Sequence, residues 1–455
     1  MSIDKIVSLC KRRGFIFQSS DIYGGFRAVY DYGPLGIALK NNISQLWWKS
    51  MTQLHENIVW LDSAILMDPK IWEASGHVGA FNDPLVDCKQ CKARYRADEL
   101  GDIENEKISW NEIQCPKCGT KGNLTEPRQF NLMLKPFLGP LEETASTVYM
   151  RPETAQGMFV DFLNVLTSSR KKLPFGIAQI GKSFRNEITP HNFIFRTREF
   201  EQMEMEYFVH PTTDENWHSY WIQERFKWYI DHGIKEKNIR IRPHESDELS
   251  HYSKATSDIE YLFPWGWGEL EGIANRTNFD LQAHSEASGQ KLVYFDEETK
   301  SHITPYVIEP AAGVDRMMLA FMLDAYREET IQTDNKSAKQ DVRTYLKFHS
   351  SIAPITVGIL PLSRNEKLIP LSQKIYKDLR INTHLNINYD DAQSIGRRYR
   401  RFDEIGTPYC VTIDFDSLDD QQVTIRDRDT LSQKRLPIIE LSQYLEDKMK
   451  PNGIA

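Results

Sequence analysis

The segment Phe184–Phe208, FRNEITPHNFIFRTREFEQMEMEYF, constrains this chain more than any other stretch. It sets Arg185 and Glu187 on one side of a short loop, and Arg198, Glu199, Glu201, Glu204 and Glu206 on the other. The tip, TPHN, is turn chemistry: Pro190 fixes φ and Asn192 tolerates a tight backbone. Phe193, Phe195, Phe200 and Tyr207 alternate with charged residues, as in strands with one buried face. The pattern predicts an antiparallel hairpin that presents arginines and carboxylates on a sheet surface. Arginine offers planar, bidentate recognition of phosphate, and a carboxylate accepts from an amino group. A nucleotide and an amine held side by side would use both. A solvated ion-pair ladder has the same pattern and costs little to keep, so the rest of the chain must decide.

At 455 residues the chain is long for one core, which predicts two or three domains. No apolar run approaches the roughly 20 residues of a membrane span. The first residues, MSIDKIVSLCKRRGF, put the basic cluster after the apolar patch, the wrong order for a secretory signal. A cytoplasmic protein is expected. The formal net charge of −8 argues against indiscriminate nucleic-acid binding but leaves room for local basic patches. Arg397, Arg398, Arg400 and Arg401 form one, either a polyanion contact or a solvated helix face.

Cys88-x2-Cys91 and Cys115-x2-Cys118 have the spacing of a four-thiolate zinc ribbon, with disulfide pairing as the alternative. Four thiolates leave no open coordination position, so such a zinc would be structural. Cys10 and Cys410 lie in apolar runs and read as core residues.

Leu35, Leu39, Ile43, Leu46 and Trp47 recur at three- and four-residue steps, an amphipathic helix, followed by a strand-like run at Ser63–Met67. Residues 77–127 are turn-rich and read as an inserted module; residues 212–262 read as a polar, helical insert. Glu269–Asp280 reads as a strand, and Tyr306–Arg316 as a strand entering a helix. The polar stretch 324–350 is a candidate linker. Beyond it, strands and helices alternate to Met449, which implies a compact α/β domain with a mixed sheet.

The F-R-x-E hairpin with RTREFEQMEMEYF resembles the second signature of class II aminoacyl-tRNA synthetases, and EPAAGVDRMMLA (Glu309–Ala320) resembles the third. The helix and strand ending at Pro69 fit the first. With YDYGPLG, RPETAQG, ELEGIANRT and RRFDEIGTPYCVT, the chain is similar from about Ile6 to Met449 to the dimeric, class IIa glycyl-tRNA synthetase family. The resemblance implies an α/β (α+β) fold: an antiparallel-sheet catalytic domain over 1–340, carrying the inserts at 77–127 and 212–262, and a C-terminal α/β anticodon-binding domain over 351–455. It implies a ligase that activates glycine with ATP to glycyl-adenylate and transfers glycine to the 3′ end of tRNA(Gly), releasing AMP and diphosphate. It also implies a homodimer.

The site residues come with that resemblance. Arg185 would hold the α-phosphate, Glu187 would meet the adenine amino group, and Phe200 and Arg316 would cover the two adenine faces. Arg196 and Arg198 would reach the outer phosphates. Glu271, with Glu309, would carry Mg²⁺ bridging the phosphates. Asn186, Phe195, Leu270 and Gly313 complete the ATP set, and Arg185, Glu271 and Arg316 are the catalytic expectation. For glycine, Glu153, Glu201 and Glu204 are the anionic candidates, and Arg96 and Arg276 the cationic ones. Phe200, Gln202, Glu309 and Gly313 lie beside them. Where this family commonly has a serine after EP, this chain has Ala311. The chemistry is self-consistent, because the amino acid supplies its own carboxylate nucleophile. Catalysis is then positioning and charge stabilisation, tasks suited to arginine and Mg²⁺. A non-enzymatic protein on the same fold would lack the arginines at 185 and 316.

Overall fold

The computed structural model describes residues 2–101, 109–110, 112–140, 147–189, 191–250, 252–331 and 341–449. Leu39, Ile43, Trp47 and Met51, each four residues after the last, are all fully buried on helix α1 (Pro34–Thr52). Proline at its start costs nothing, since the first turn has no intrahelical use for that N–H. At Gly36 a Cβ would stand 1.9 Å from the Phe15 carbonyl oxygen, so only glycine lets the helix seat there.

Seven strands form the central sheet: β1 (Ile58–Trp60), β2 (Phe175–Phe184), β3 (Glu199–Val209), β4 (Ile239–Pro243), β5 (Ala255–Phe263), β6 (Gly266–Thr277) and β7 (Tyr306–Gly313). Their order is β1-β2-β3-β7-β6-β5-β4, and only the β1–β2 pair is parallel. Met203, Met205 and Tyr207 of β3, Ile273 of β6 and Ile259 of β5 point to one face. That face is covered by α1 and by two further helices, Asp214–Asp231 and Val314–Ala325. The opposite face is capped at one end only. There α2 (Ala155–Val160) and a later helix, Phe279–Ser288, bury Phe208, Ile177 and Val307. The uncapped end is where the polar residues of alternate strand positions collect. The helices are hereafter α3 (Asp214–Asp231), α4 (Phe279–Ser288) and α5 (Val314–Ala325).

Three expectations change. Residues 212–262 are not a helical insert: only α3 is a long helix, and β4 and β5 complete the central sheet. Their polarity is cross-strand pairing. Arg240 sits opposite Glu260 and Arg242 opposite Asp258, with ion pairs of 2.6 and 3.3 Å. Ser63–Met67 is not a strand, because Gln179 captures Ser63 through its amide and hydroxyl at 3.2 and 2.9 Å. Within 324–350, Tyr326–Ile331 pairs antiparallel with Asp341–Leu346; residues 332–340 lie outside the described residues.

The C-terminal sheet has strands β8 (Val357–Pro361), β9 (Ile387–Tyr389), β10 (Tyr409–Ile413), β11 (Gln422–Asp427) and β12 (Gln433–Pro437), ordered β9-β8-β10-β11-β12. The first three are parallel and the rest antiparallel, a mixed sheet as expected. Helices α6 (Leu368–Asn382) and α7 (Ile395–Glu404) pack on it. The basic cluster on α7 is divided. Arg398 is fully buried and donates to the carbonyls of Pro361, Asp390 and Leu362 at 2.6, 3.0 and 3.1 Å. Arg401 pairs with Asp390 at 2.7 Å, Arg400 donates to the Val342 carbonyl at 3.3 Å, and Arg397 is exposed. Cys10 and Cys410 are buried and free, as read from sequence. Among the described residues no helix is long and apolar enough to cross a membrane.

Candidate active site

Four adjacent strands bring one row of residues into line on the uncapped face. Glu204 of β3 stands opposite Ala311 of β7, Ala311 opposite Gly272 of β6, and Gly272 opposite Asp258 of β5. Small residues in the middle and carboxylates at the ends leave a trough, over which lies a cavity of about 310 Å³. A Cβ on Gly272 would have Asp258 Oδ1 and Glu269 Oε1 each at 3.7 Å, so two carboxylates converge where glycine leaves room.

Strand alternation sorts the expected residues. Phe200, Gln202 and Glu204 face the cavity. Glu201, between them, turns to the helix side and meets Lys40 of α1 at 2.6 Å, so it is not a cavity residue. On β6, Gly272, Ala274 and Arg276 line the cavity, whereas Glu271 faces α3. Glu271 is fully buried and accepts from Arg225 Nε at 2.7 Å and from the Tyr229 hydroxyl at 2.8 Å. The expectation that Glu271 carries Mg²⁺ is therefore not met. Alternation with Gly272 is the reason, and at Leu270 that alternation breaks. The β5–β6 register passes from Ile259–Glu271 to Glu260–Glu269, leaving Leu270 as a bulge residue that swings Glu269 onto the cavity face. There Arg316 donates to Glu269 at 3.0 Å. Sequence reasoning missed Glu269, Asp258 and the His244 that lies 2.9 Å from Asp258. The signal was parity: Glu271 and Arg276 are an odd number apart, so one regular strand cannot aim both at one site.

At one end of the trough carboxylates outnumber cations. Arg276 donates to both oxygens of Glu309 at 3.0 Å and to Asp280 at 2.8 and 2.9 Å. Glu153, from the turn before α2, has His77 Nε2 at 3.3 Å and accepts from Gln156 at 2.9 Å. Glu204 accepts from the Thr154 amide at 2.9 Å, from the Thr154 hydroxyl, and from Gln202 at 2.6 Å. Burial works to raise the Glu153 carboxyl, but His77 and Arg276 hold it well below the usual range. Burial and the neighbouring Glu204 and Glu153 push Glu309 up to about 8 against the pull of Arg276. Burial and Glu153 also raise Glu204. Behind them Glu206 is fully buried with neither oxygen hydrogen-bonded, and burial and Glu309 push it well above the carboxylate range. Arg96 adds no further cation here, because it lies outside the cavity and pairs with Asp83 and Asp98 at 2.7 and 2.5 Å.

The other end is built from arginines and aromatic rings. The Arg185 guanidinium lies 5.3 Å from the Phe200 ring, with Nε donating to the Pro152 carbonyl at 3.1 Å. Arg316, in the first turn of α5, lies 4.5 Å from the Phe195 ring and donates to the Phe195 carbonyl at 3.0 Å. Glu187, Arg196, Leu270 and Gly313 also border this end. Asn186 and Arg198 do not: the Asn186 amide donates to the Leu132 carbonyl at 2.8 Å, and Arg198 donates to the Glu187 carbonyl at 3.2 Å. They shape the loop from behind. The β2–β3 hairpin itself is antiparallel, with Phe184 opposite Glu199. Asn192 takes left-handed φ as its residue type allows, Phe193–Phe195 forms a turn of 3-10 helix in place of strand, and Pro190 lies outside the described residues.

The paired cysteines converge. Cys88 Sγ lies 3.7 Å from Cys118 Sγ, Cys91 Sγ lies 3.7 Å from Cys115 Sγ, and all four sulfurs fall within 4.8 Å of one another. A tetrahedron of sulfurs about 2.3 Å from a zinc ion has edges of about 3.8 Å.

Two parts of the chain match known protein families. Residues 140–326 match the tRNA synthetase class II core domain (G, H, P, S and T), and residues 356–448 match the anticodon binding domain. The glycine–tRNA ligase of Cutibacterium acnes is 54% identical over 98% of this chain and 96% of its own length. Those of Thermobifida fusca and Streptomyces coelicolor are 53% and 54% identical, each over 98% of both chains. A chain with these two matched domains, and more than half identical to such relatives over nearly its whole length, belongs to the glycine–tRNA ligase family of class II aminoacyl-tRNA synthetases.

Proposed function

We propose that this chain activates glycine with ATP and transfers it to tRNA(Gly), as a cytoplasmic homodimer, with residues 1–340 catalytic and residues 351–455 holding the anticodon. The observation that carries the reading is the two-ended trough. Three carboxylates at one end await an ammonium group, and Arg185 and Arg316 flank the other between aromatic rings. Glycine's ammonium sits among Glu153, Glu204 and Glu309. Its carboxylate points toward Arg185, which holds the α-phosphorus in reach and stabilises charge as the acyl–phosphate bond forms and pyrophosphate leaves. Phe200 and Arg316 cover the adenine, and Glu187 accepts from its amino group. Arg276 locks Glu309, and Thr154 with Gln202 locks Glu204, each by hydrogen bonds. A side chain larger than hydrogen would have to break them, which disfavours alanine by overpacking. Ala311 takes the small central position of the row, and the hydroxyl reaching Glu204 is that of Thr154.

Asp258 and Glu269 are hard oxygen donors that fit Mg²⁺, which when bound neutralises phosphate charge. The four cysteine sulfurs fit a structural zinc ion that clamps the small sheet of Asn82–Asp87, Arg94–Arg96 and Arg128–Asn131. Zinc content of purified protein tests that part; a fully folded, metal-free sample removes it. The function is tested by pyrophosphate exchange with a panel of amino acids. Glycine alone should drive exchange, and equal exchange with alanine or serine contradicts the specificity.

A further inference from the structure

Glu201, turned from the cavity by strand alternation, belongs to a second cluster that the steps above do not use. Its carboxylate meets Lys40 Nζ at 2.6 Å. The same ammonium lies 3.7 Å from Asp315 Oδ1 and 4.4 Å from the centre of the Tyr32 ring. The Lys40 side chain is only 5% exposed, a burial that a lysine tolerates only when paired. Burial opposes its charge, yet Asp315 and Glu201 hold the ammonium above the ordinary lysine range. Asp315 is the second residue of α5, immediately before Arg316, and it borders the cavity. Its Oδ2 accepts the Glu201 amide at 2.9 Å, and its Oδ1 accepts the Tyr32 hydroxyl. The β3–β7 ladder ends at Gln202–Gly313, where β7 turns into α5. The Asp315 carboxylate thus takes a strand amide one residue past the ladder, and so pins the helix start to the sheet.

We propose that Lys40 is a positioning residue for ATP: by neutralising Asp315 and Glu201 together it fixes the first turn of α5, and with it Arg316, at the cavity wall. Without the ammonium, the buried Asp315 carboxylate and the half-buried Glu201 carboxylate repel each other, and Asp315 is driven off the Glu201 amide. Arg316 then keeps only its contacts to Phe195 and Glu269. The glycine end rests on Glu153, Glu204, Glu309 and Arg276, whose partners are Thr154, Gln202, Gln156, His77, Asp280 and one another rather than this cluster. The loss should therefore fall on ATP.

This inference rests on ATP lying at the Arg185–Arg316 end, so the test carries Arg316→Ala as a control. In pyrophosphate exchange by the full chain, Lys40→Met should raise KM for ATP about 10-fold or more, the scale of one charge-assisted bond. KM for glycine should stay within about 3-fold, and Lys40→Arg should recover most of the loss. If Arg316→Ala raises KM for ATP and a folded Lys40→Met does not, the Lys40 inference fails alone. If neither does, the placement of ATP fails with it. A purely structural lysine would raise both KM values together, and Lys40→Met/Glu201→Gln would restore them; that outcome also overturns the proposal. Should Lys40→Met not fold, Tyr32→Phe removes only the hydroxyl on Asp315. It should shift KM for ATP alone by about 3-fold or more, and an unchanged value there overturns the proposal.

Discussion

Glu269 and Glu271 are two residues apart on one strand, and the bulge at Leu270 gives them opposite jobs. Glu271→Gln keeps the shape and an acceptor for Tyr229 but removes the charge beside Arg225. That guanidinium is 2% exposed and its partner 0%. Breaking a buried pair by neutralising one member costs about 3–5 kcal/mol, because the other charge stays buried alone. The Trp228 ring, 4.8 Å from the guanidinium, retains part of its stabilisation, so about 3 kcal/mol is the expected loss. Glu269 is 48% exposed in its pair with Arg316, and exposed pairs contribute about 0–1 kcal/mol. Glu269→Gln should leave stability nearly unchanged. It should lower pyrophosphate exchange by about 10²–10³-fold, the scale of one lost electrostatic contact in a preorganised site, and raise the Mg²⁺ needed for half-maximal rate. Urea unfolding and exchange across a Mg²⁺ titration read both variants. The face assignment is refuted if Glu271→Gln unfolds like the parent but needs more Mg²⁺, while Glu269→Gln exchanges normally.

Further predictions follow from the buried acids and from the C-terminal arginines. Glu309 holds a proton up to about 8, and glycine's ammonium competes with it. KM for glycine should therefore fall as pH rises from about 6.5 to about 8.5, by at most about tenfold per pH unit; a flat profile would contradict the assignment. Glu206 has a folded value raised above its unfolded one, so its contribution to stability is complete below about 4.3 and is lost as pH rises through the folded value. Glu206→Gln escapes that loss, and its melting temperature relative to the parent should increase from acid to alkaline pH; a constant difference refutes a proton-bearing acid. Arg398→Ala leaves three carbonyls without their charged donor and should cost at least about 3 kcal/mol in urea unfolding. Arg397→Ala should stay within about 0.5 kcal/mol and instead raise KM for tRNA with a weaker salt dependence. The reverse pattern would mean that α7 faces the other way.

Periodicity made much of this architecture legible. The four-residue spacing from Leu39 to Trp47 gave the helix that covers the sheet, and the alternation after Ile355 gave the mixed C-terminal sheet. What failed was the reading of face. Motif letters such as EFEQME and ELEG name residues without saying which side of a strand they take. Glu201 and Glu271 sit one position out of phase with Glu204 and Arg276, and their charges are spent on Lys40 and Arg225. A bulge reverses parity locally, and nothing in the letters GELEG announces one. Residues 212–262 read as polar insert because cross-strand pairs such as Arg240–Glu260 look like a solvated surface until the strand opposite is known. Arg398 misled for a related reason. Its charge suggested solvent or phosphate, and only the tertiary fold reveals the ring of carbonyls it serves. The cysteine knuckles were legible because two-residue spacing fixes geometry locally.

The most direct measurement is a crystal structure of the protein with Mg²⁺ and a non-hydrolysable glycyl-adenylate analogue. The ammonium should lie among Glu153, Glu204 and Glu309, the phosphate mimic on Arg185, the adenine between Phe200 and Arg316, and the metal on Asp258 or Glu269. An analogue held by Glu201 or Glu271, or one seated outside the trough over Ala311 and Gly272, would contradict the account at its centre.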